Sequence, residues 1–377
     1  MQKLAFARMD TVTCKECNRA LSISSHTKTI RCDGCQRVIS GGNSSKESAS
    51  SGISSWPNQD QGNIIITETK GLRDFYRKIS SNISPRSSLR FKQGPTARIS
   101  DAPPQGKRAF LCGVSYKDKK FKLRGTTQDV MNIANLLFQQ FGFPTNAVLV
   151  LAEDVSYEPP TKNNIIRALE WLVKDVQSGD SLVFYFSGHG LRQIDFEGDE
   201  TDGFDEAICP LDFETAGLIM DNDINKMIVD PLTEGVILHA IIDACHSGTV
   251  LDLPHVYDKN NGGSWKNNFH PSGAYKGTHG GRAICFSACE DYQQAADTTV
   301  FSSEMAGAMT FTFIKAVTEN QEITYRGILD SMHNSLEQAN NSQRGCGLLN
   351  RVFYRRMVQD PMLSSSEVFN VDSMFRL

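Results

Sequence analysis

Apolar residues along this chain follow two patterns that alternate from about residue 108 onward. Short continuous runs rich in β-branched and aromatic residues occupy 109–115, 147–151, 182–186, 236–242 and 282–288. Runs this short predict strands buried in a sheet that is covered on both faces. Between them, apolar positions recur at steps of three and four, as in Val130, Ile133, Ala134 and Leu137. That period predicts helices over 126–141, 161–176, 305–317 and 325–338, and a shorter one over 223–229. Repeated strand–helix units predict an α/β fold whose mainly parallel sheet is flanked by helices.

Two of the predicted strands stop abruptly at groups able to do chemistry. Leu182-Val-Phe-Tyr-Phe-Ser-Gly leads to His189, and Val236-Ile-Leu-His-Ala-Ile-Ile-Asp-Ala leads to Cys245. Parallel strands bring their carboxyl ends to one edge, where open α/β sheets bind ligands, so the two groups can be neighbours in space. A thiol beside an imidazole becomes a nucleophilic thiolate at neutral pH. Gly188 and Gly190 allow close approach of a substrate backbone, and the amides around Cys245 can receive an oxyanion. Taken singly, each residue has a plainer explanation: Cys245 as a small core residue, His189 as an ordinary loop histidine. Their placement at two equivalent strand ends favours a cysteine acyl-transfer site.

Composition narrows the setting. The chain has 377 residues, 40% of them hydrophobic, enough for one sizeable α/β domain with appendages. No apolar run approaches the roughly 20 residues of a membrane span, and the segment around Lys3, Arg8 and Asp10 lacks a secretory apolar core. The expectation is a soluble cytoplasmic protein, with the nucleus as a second location.

Four of the ten cysteines form two CxxC pairs, Cys14 with Cys17 and Cys32 with Cys35. Four thiolates at this spacing complete the tetrahedral shell of a structural zinc, which gives a module of this size much of its stability. Four unligated thiols in a tail are the alternative. Residues 40–69 are rich in Ser, Gly and Asn and read as disordered. Residues 70–108 carry ten Lys/Arg against Asp74 and Asp101, with a short helix expected over 72–79. Their sparse aromatic interleaving favours a solvated linker over a nucleic-acid surface. From 109 onward, 21 basic residues face 35 acidic ones, so a basic arm precedes an acidic domain.

The acidic residues fall into two sets. Asp129 lies near the start of a predicted helix and Asp243 two residues before Cys245; a buried carboxylate there suits a cationic side chain, although Asp129 is equally well read as a surface acid. A denser set comprises Asp195, Glu197, Asp199, Glu200, Asp202, Asp205, Glu206, Asp221, Asp223 and Asp252. Converging hard oxygens favour calcium, yet the spacing is no EF-hand, and a solvated acidic loop fits composition as well. Residues 254–281, rich in Gly, Asn, His and Lys, read as a long functional or cleavable loop.

Ser187-Gly-His189-Gly followed by Asp243-Ala-Cys245-His-Ser-Gly resembles the histidine and cysteine boxes of the caspase-like peptidases in their metacaspase version, over about residues 108–358. The N-terminal cysteines resemble the lesion-simulating-disease type of zinc finger that precedes the protease in plant type I metacaspases. The resemblance implies a caspase-like fold in five stretches: a zinc-finger prodomain over 1–39, a flexible linker over 40–107, a large catalytic part over 108–253, a cleavable loop over 254–281 and a small catalytic part over 282–377. It implies a calcium-dependent endopeptidase, with Cys245 as nucleophile and His189 as acid–base, active in cell-death or stress-related proteolysis. Asp129, Asp243 and Ser187 would line the pocket for an Arg or Lys before the scissile bond. Asp205, Asp221, Asn222 and Asp252 would hold calcium, with Asn222 where another member has an acid. Processing would follow Lys259, Lys266, Lys276 or Arg282. The zinc finger would dock a protein partner, and the catalytic domain would be monomeric. The alternative is a scaffold built from the same two parts with little turnover.

Overall fold

The computed structural model describes residues 9–13, 20–24, 29–31, 38–40, 94–194, 204–244, 248, 250–259, 262–268, 275–288, 307–320, 322–342 and 361–377. The expected helix over 72–79 and the four zinc-candidate cysteines lie outside them.

The chain divides into two compact units, residues 1–67 and 68–377. In the first, β1 (Met9–Thr13) pairs antiparallel with β2 (Ala20–Ser24), and β3 (Thr29–Arg31) with β4 (Val38–Ser40). Cys14 and Cys17 fall in the connection after the pair Thr13–Ala20, and Cys32 and Cys35 in the connection after Arg31–Val38.

The second unit is built on a mixed sheet of eight strands. Its first strands are β5 (Lys107–Gly113), β6 (Val148–Ala152) and β7 (Ser181–Ser187). A small antiparallel sheet of β8 (Gly190–Ile194), β9 (Phe204–Ile208) and β10 (Ile219–Met220) follows, before β11 (Ile237–Asp243) returns to the main sheet. The hairpin β12 (His255–Asp258) and β13 (Ser264–Asn267), then β14 (Arg282–Ser287) and β15 (Met362–Ser365), complete it. Spatial order is β13-β12-β15-β14-β11-β7-β5-β6. β6, β5, β7, β11 and β14 run parallel, and β15, β12 and β13 continue antiparallel.

Helices cover both faces, which is why the central strands read as unbroken apolar runs. Helices α1 (Thr126–Gln139), α3 (Ala308–Glu319) and α4 (Tyr325–Ser342) pack on one face against Leu111, Tyr185, Ile241 and Phe286. Helix α2 (Lys162–Val173) packs on the other against Phe110, Phe184, Ile242 and their neighbours. Thr161 caps α2 by accepting from the Asn164 amide. Within the α4 face, His239 of β11 bonds through Nε2 to Tyr325 Oη at 2.8 Å, and burial, followed by the charge of Arg282, pushes this imidazole down to about 3.

Two expectations are corrected. Residues 94–106, read as the end of the linker, run along the sheet: Thr96 N–H donates to Thr145 O at 2.9 Å, Trp171 Nε1–H donates to Asp101 O at 3.1 Å, and Ile99 is buried. Their place at the end of a basic stretch concealed the apolar Ala97 and Ile99 that dock there. The stretch 254–281 is not simply an irregular loop, because the β12–β13 hairpin within it extends the sheet. Tyr257 and Trp265 meet there edge to face, and Trp265 Nε1–H donates to Phe369 O. Two anchors in a polar stretch carry no period. The small sheet β8–β10 and strand β15 were likewise too short to register as patterns.

At the head of β5, Arg108 is buried and bonded to Asp180 Oδ2 at 2.9 Å and to Lys174 O, where α2 ends, at 2.6 Å. Asp180 also accepts from the Gly106 and Gln177 amides. Removing one partner of a buried ion pair strands the other, at a cost of about 3–5 kcal/mol. Asp180→Ala is therefore expected to lower the unfolding free energy by about that much, seen as a reduced denaturant midpoint at unchanged slope; an unmoved midpoint would show the pair to be dispensable.

Candidate active site

Parallel register aligns Gly113 of β5, Ser187 of β7 and Asp243 of β11 at one edge of the sheet. His189 and Cys245 each follow that line by two residues, after Ser187 and Asp243 respectively. Cys245 itself lies outside the described residues. The described free thiols Cys112, Cys209 and Cys285 are all buried. Burial pushes Cys209 and Cys285 to about 12 and Cys112 higher still, so none of the three is a thiolate at neutral pH.

His189 is held on every side. Its amide donates to Tyr116 Oη at 3.1 Å, its carbonyl accepts from the Cys209 amide at 3.0 Å, and Tyr116 Oη donates to Cys209 O at 2.5 Å. The Tyr116 ring stacks on the imidazole at 4.8 Å and Phe121 meets it edge-on at 5.8 Å. Nε2 lies 2.7 Å from Phe121 O. A carbonyl only accepts, so Nε2 carries the proton and Nδ1 is the basic nitrogen; the tautomer follows from this bonding. Burial lowers the imidazole pKa, with the bond to Phe121 acting in the opposite direction. A base of this kind is neutral and ready near pH 7. Gly188 is required beside it, because a Cβ there would stand 2.7 Å from the Phe186 ring.

The loop that supplies Tyr116 and Phe121 is fixed by Glu153. Its carboxylate accepts from the amides of Ser115 and Tyr116, both at 2.5 Å, and of Lys117 at 3.1 Å. Tyr116 has φ 51°, a left-handed conformation that helps consecutive amides converge on one anion.

Asp129, Asp243 and Ser187 come together at the same edge. Helix α1 starts against β5, where a Cβ on Gly113 would lie 2.9 Å from Thr126 O, and its first turn carries Asp129. Asp243 is buried at the start of α3 and accepts from Thr310 N at 2.9 Å, from Thr310 Oγ1 at 2.5 Å and from the Gly307 amide. Burial raises its pKa, and those bonds oppose the rise. Tyr185 Oη lies 2.7 Å from the same Thr310 hydroxyl. Asp129 has no such cap: its Oδ2 is buried without a hydrogen-bond partner among the described residues. Burial, then the charge of Asp243, raises Asp129 to about 8. A protonated carboxyl that ionises readily when a cation arrives is suited to a guanidinium or ammonium.

The second acidic set also converges in part. Asp205 on β9, Asp221 and Asp252 are buried. Asp221 accepts from the Glu206 amide at 2.8 Å and the Asn222 amide at 2.7 Å. Lys276 Nζ donates to Asp252 Oδ2 and Asn222 Oδ1. Asp223 points to solvent, Glu206 pairs with Arg192 at 3.1 Å, and residues 195–203 lie outside the described residues. Asp205, Asp221, Asn222 and Asp252 offer only oxygen, the donor chemistry of a hard cation, and the ammonium seated on two of them marks a place that holds positive charge; among the described residues no three His, Cys, Asp or Glu side chains stand close enough together to hold a metal ion in this arrangement. The other basic residues proposed for processing are engaged as well: Lys259 with Asp330, Lys266 with Asp258, and Arg282 with Glu367 at the start of β14.

Sequence reasoning missed Tyr116, Phe121, Glu153 and Thr310, and named Lys276 only as a candidate for processing. Tyr116 follows the end of β5 much as His189 follows β7, which is a usable signal. Phe121 acts through its carbonyl, which no sequence motif records.

A family profile described as the peptidase C14 domain of metacaspases matches residues 107–254. Metacaspase-3 of Arabidopsis thaliana is 47% identical over 269 residues, covering 70% of this chain and 74% of the relative. Metacaspase-1 of the same plant is 48% identical over 245 residues, covering 63% and 67%. Metacaspase-1 of Meyerozyma guilliermondii is 36% identical over 274 residues, covering 62% and 67%.

Glu153→Ala would leave three amides of the 115–117 turn without their acceptor, a cost of about 1–3 kcal/mol each where they are buried. The expected result is a loosened loop and a more exposed His189, whose pKa, followed by NMR of the ring protons, moves up toward 6.5. An unmoved value would mean that Glu153 does not act on the imidazole.

Proposed function

This chain belongs to the metacaspase family of cysteine peptidases, and on that premise we propose a calcium-dependent endopeptidase that cuts after arginine or lysine. The observation that carries this reading is the pair of carboxylates, half-buried Asp129 and buried Asp243, at the sheet edge from which His189 and Cys245 follow.

In the proposed reaction, His189 Nδ1 takes the thiol proton of Cys245, and the sulfur bonds to the scissile carbonyl carbon. The C–N bond breaks as the imidazolium returns that proton to the leaving amine, and a water deprotonated by His189 then releases the acyl group. Nε2–H remains on Phe121 O throughout, which keeps the ring from turning. The Gly188 amide is committed to Asp243 O at 3.3 Å, so the oxyanion falls to the amides around Cys245.

Asp129 meets the substrate cation directly, because Asp243 Oδ2 is engaged by Thr310 at the start of α3. Calcium, when bound by Asp205, Asp221, Asn222 and Asp252, supplies the charge that lets these oxygens converge. The chain itself brings β9, the turn at 221–225 and the 251–253 segment to one place. A structural zinc on Cys14, Cys17, Cys32 and Cys35, one CxxC pair in each hairpin connection, would organise a surface for a protein partner. Processing within 254–282 and a part in cell-death or stress proteolysis complete the proposal.

Purified protein is expected to hydrolyse fluorogenic peptides ending in Arg or Lys but not Asp, only with calcium, and Cys245→Ala to abolish this. Silence under every condition from folded protein would instead favour the scaffold. A pH series adds a second check. Because Asp129 is protonated below about 8 and must ionise to hold a cation, KM for an Arg peptide should fall on the order of tenfold per unit up to that pH and then level. Asp129→Asn should raise KM and remove the slope; a slope retained in that variant would assign it elsewhere.

A further inference from the structure

Lys276 is a cation that the structure seats among the proposed calcium donors. Its ammonium donates to Asp252 Oδ2 and Asn222 Oδ1, and its side chain is only 9% exposed. The backbone is held at the same point: Asn225 Nδ2 donates to Leu251 O at 2.9 Å, Asp252 O at 3.3 Å and Lys276 O at 3.1 Å. One buried amide thus ties the segment carrying Asp252 to the segment carrying Lys276. Asp252 itself has φ 52°, a conformation that costs a non-glycine residue and persists only where its surroundings enforce it.

From this we propose that Lys276 is a tethered counter-cation that calcium must displace, so that metal binding is coupled to release of the chain at 275–278. The proposal rests on the calcium reading of this site. Buried carboxylates require compensation, and in the metal-free protein the lysine provides part of it. Calcium takes six to eight oxygens at about 2.3–2.6 Å, whereas two of the candidate oxygens here are committed to Nζ. An ammonium and a divalent ion at that separation repel each other in a setting with little water. The two cations therefore exclude one another. With asparagine rather than an acid at 222, the site carries one negative charge fewer to hold metal against this competitor.

Displacement has a defined reach. Upstream, Tyr275 is already exposed. Downstream, His279 and Gly280 bridge to Thr233, His279 Nδ1 bonds to Asp230 O at 2.6 Å, and Gly281 N–H donates to Leu232 O at 3.1 Å immediately before β14. The released part is accordingly short and ends at a fixed strand.

The test uses full-length Cys245→Ala protein, which cannot process itself under the proposed mechanism, with and without Lys276→Met. Calcium affinity is read by titration calorimetry, and the reactivity of Lys276 toward an acetylating reagent by mass spectrometry. The expected result is at least a tenfold tighter calcium Kd in the Lys276→Met protein. In the parent, Lys276 should be protected without calcium and acetylated with it, a reading that needs no substitution at 276. Lys276→Met should also have a lower Tm without calcium and recover with it. Calcium binding that is equal in both proteins, or weaker in Lys276→Met, together with unchanged labelling, would overturn the competition while leaving the calcium site intact. No calcium binding in either protein would overturn both the site and the competition.

Discussion

Gly113, Ser187 and Asp243 stand side by side because three neighbouring strands run parallel in a single register, and the chemistry of this chain depends on that alignment. A slip of one residue in β11 would turn Asp243 and every core residue of the strand to the opposite face. The register is held from both sides, by α1, α3 and α4 on one face and α2 on the other. Each residue of the site is then a short extension of a fixed line. Backbone leads from Ser187 to His189 and from Asp243 to Cys245, while Asp129 is carried in on the first turn of a helix that only glycine at 113 lets approach.

The domain holds several carboxylates in places shielded from water, and the chain treats each of them differently. Asp180 is neutralised by a buried guanidinium. Glu153 is surrounded by three amides. Asp243 sits where the orphan amides of α3 begin, as anions at helix starts commonly do. Asp252 has a lysine. Asp129 retains a buried oxygen with no hydrogen-bond partner among the described residues. In the proposed reading, that uncompensated oxygen is the one left for an incoming cation, which is what differential binding requires of a recognition pocket.

Much of this was legible in the sequence, for physical reasons. Strands buried on both faces leave runs such as 182–186, and helices over a sheet leave stripes such as Val130, Ile133 and Leu137; both recur in the structure with ends shifted by a few residues. His189 was visible because a strand stopped at it. What escaped reading acts through the backbone or through isolated anchors. The Phe121 carbonyl that fixes the imidazole belongs to no motif. Ile99 and Trp171 dock the segment before β5 although the local charge suggested solvent. The β12–β13 hairpin depends on Tyr257 and Trp265 amid polar residues, too few for any period. Lys276 read as a candidate for processing in the 254–281 loop, since its carboxylate partner lies 24 residues away in sequence.

The buried imidazole beneath β11 has a bearing on where such a protein is at ease. His239 stays uncharged down to about 3 in the folded chain but takes a proton near 6.5 once unfolded, so acidification through that interval favours unfolding. Asp129 acts in the opposite sense, holding a proton up to about 8 when folded and losing it near 4 when not, so its contribution declines as the medium becomes alkaline. Between about 4 and 6.5 the two slopes oppose each other; below that interval only the histidine acts, and above it only the aspartate. These two side chains, on the same face of the sheet, together give the fold a mildly acidic plateau of tolerance.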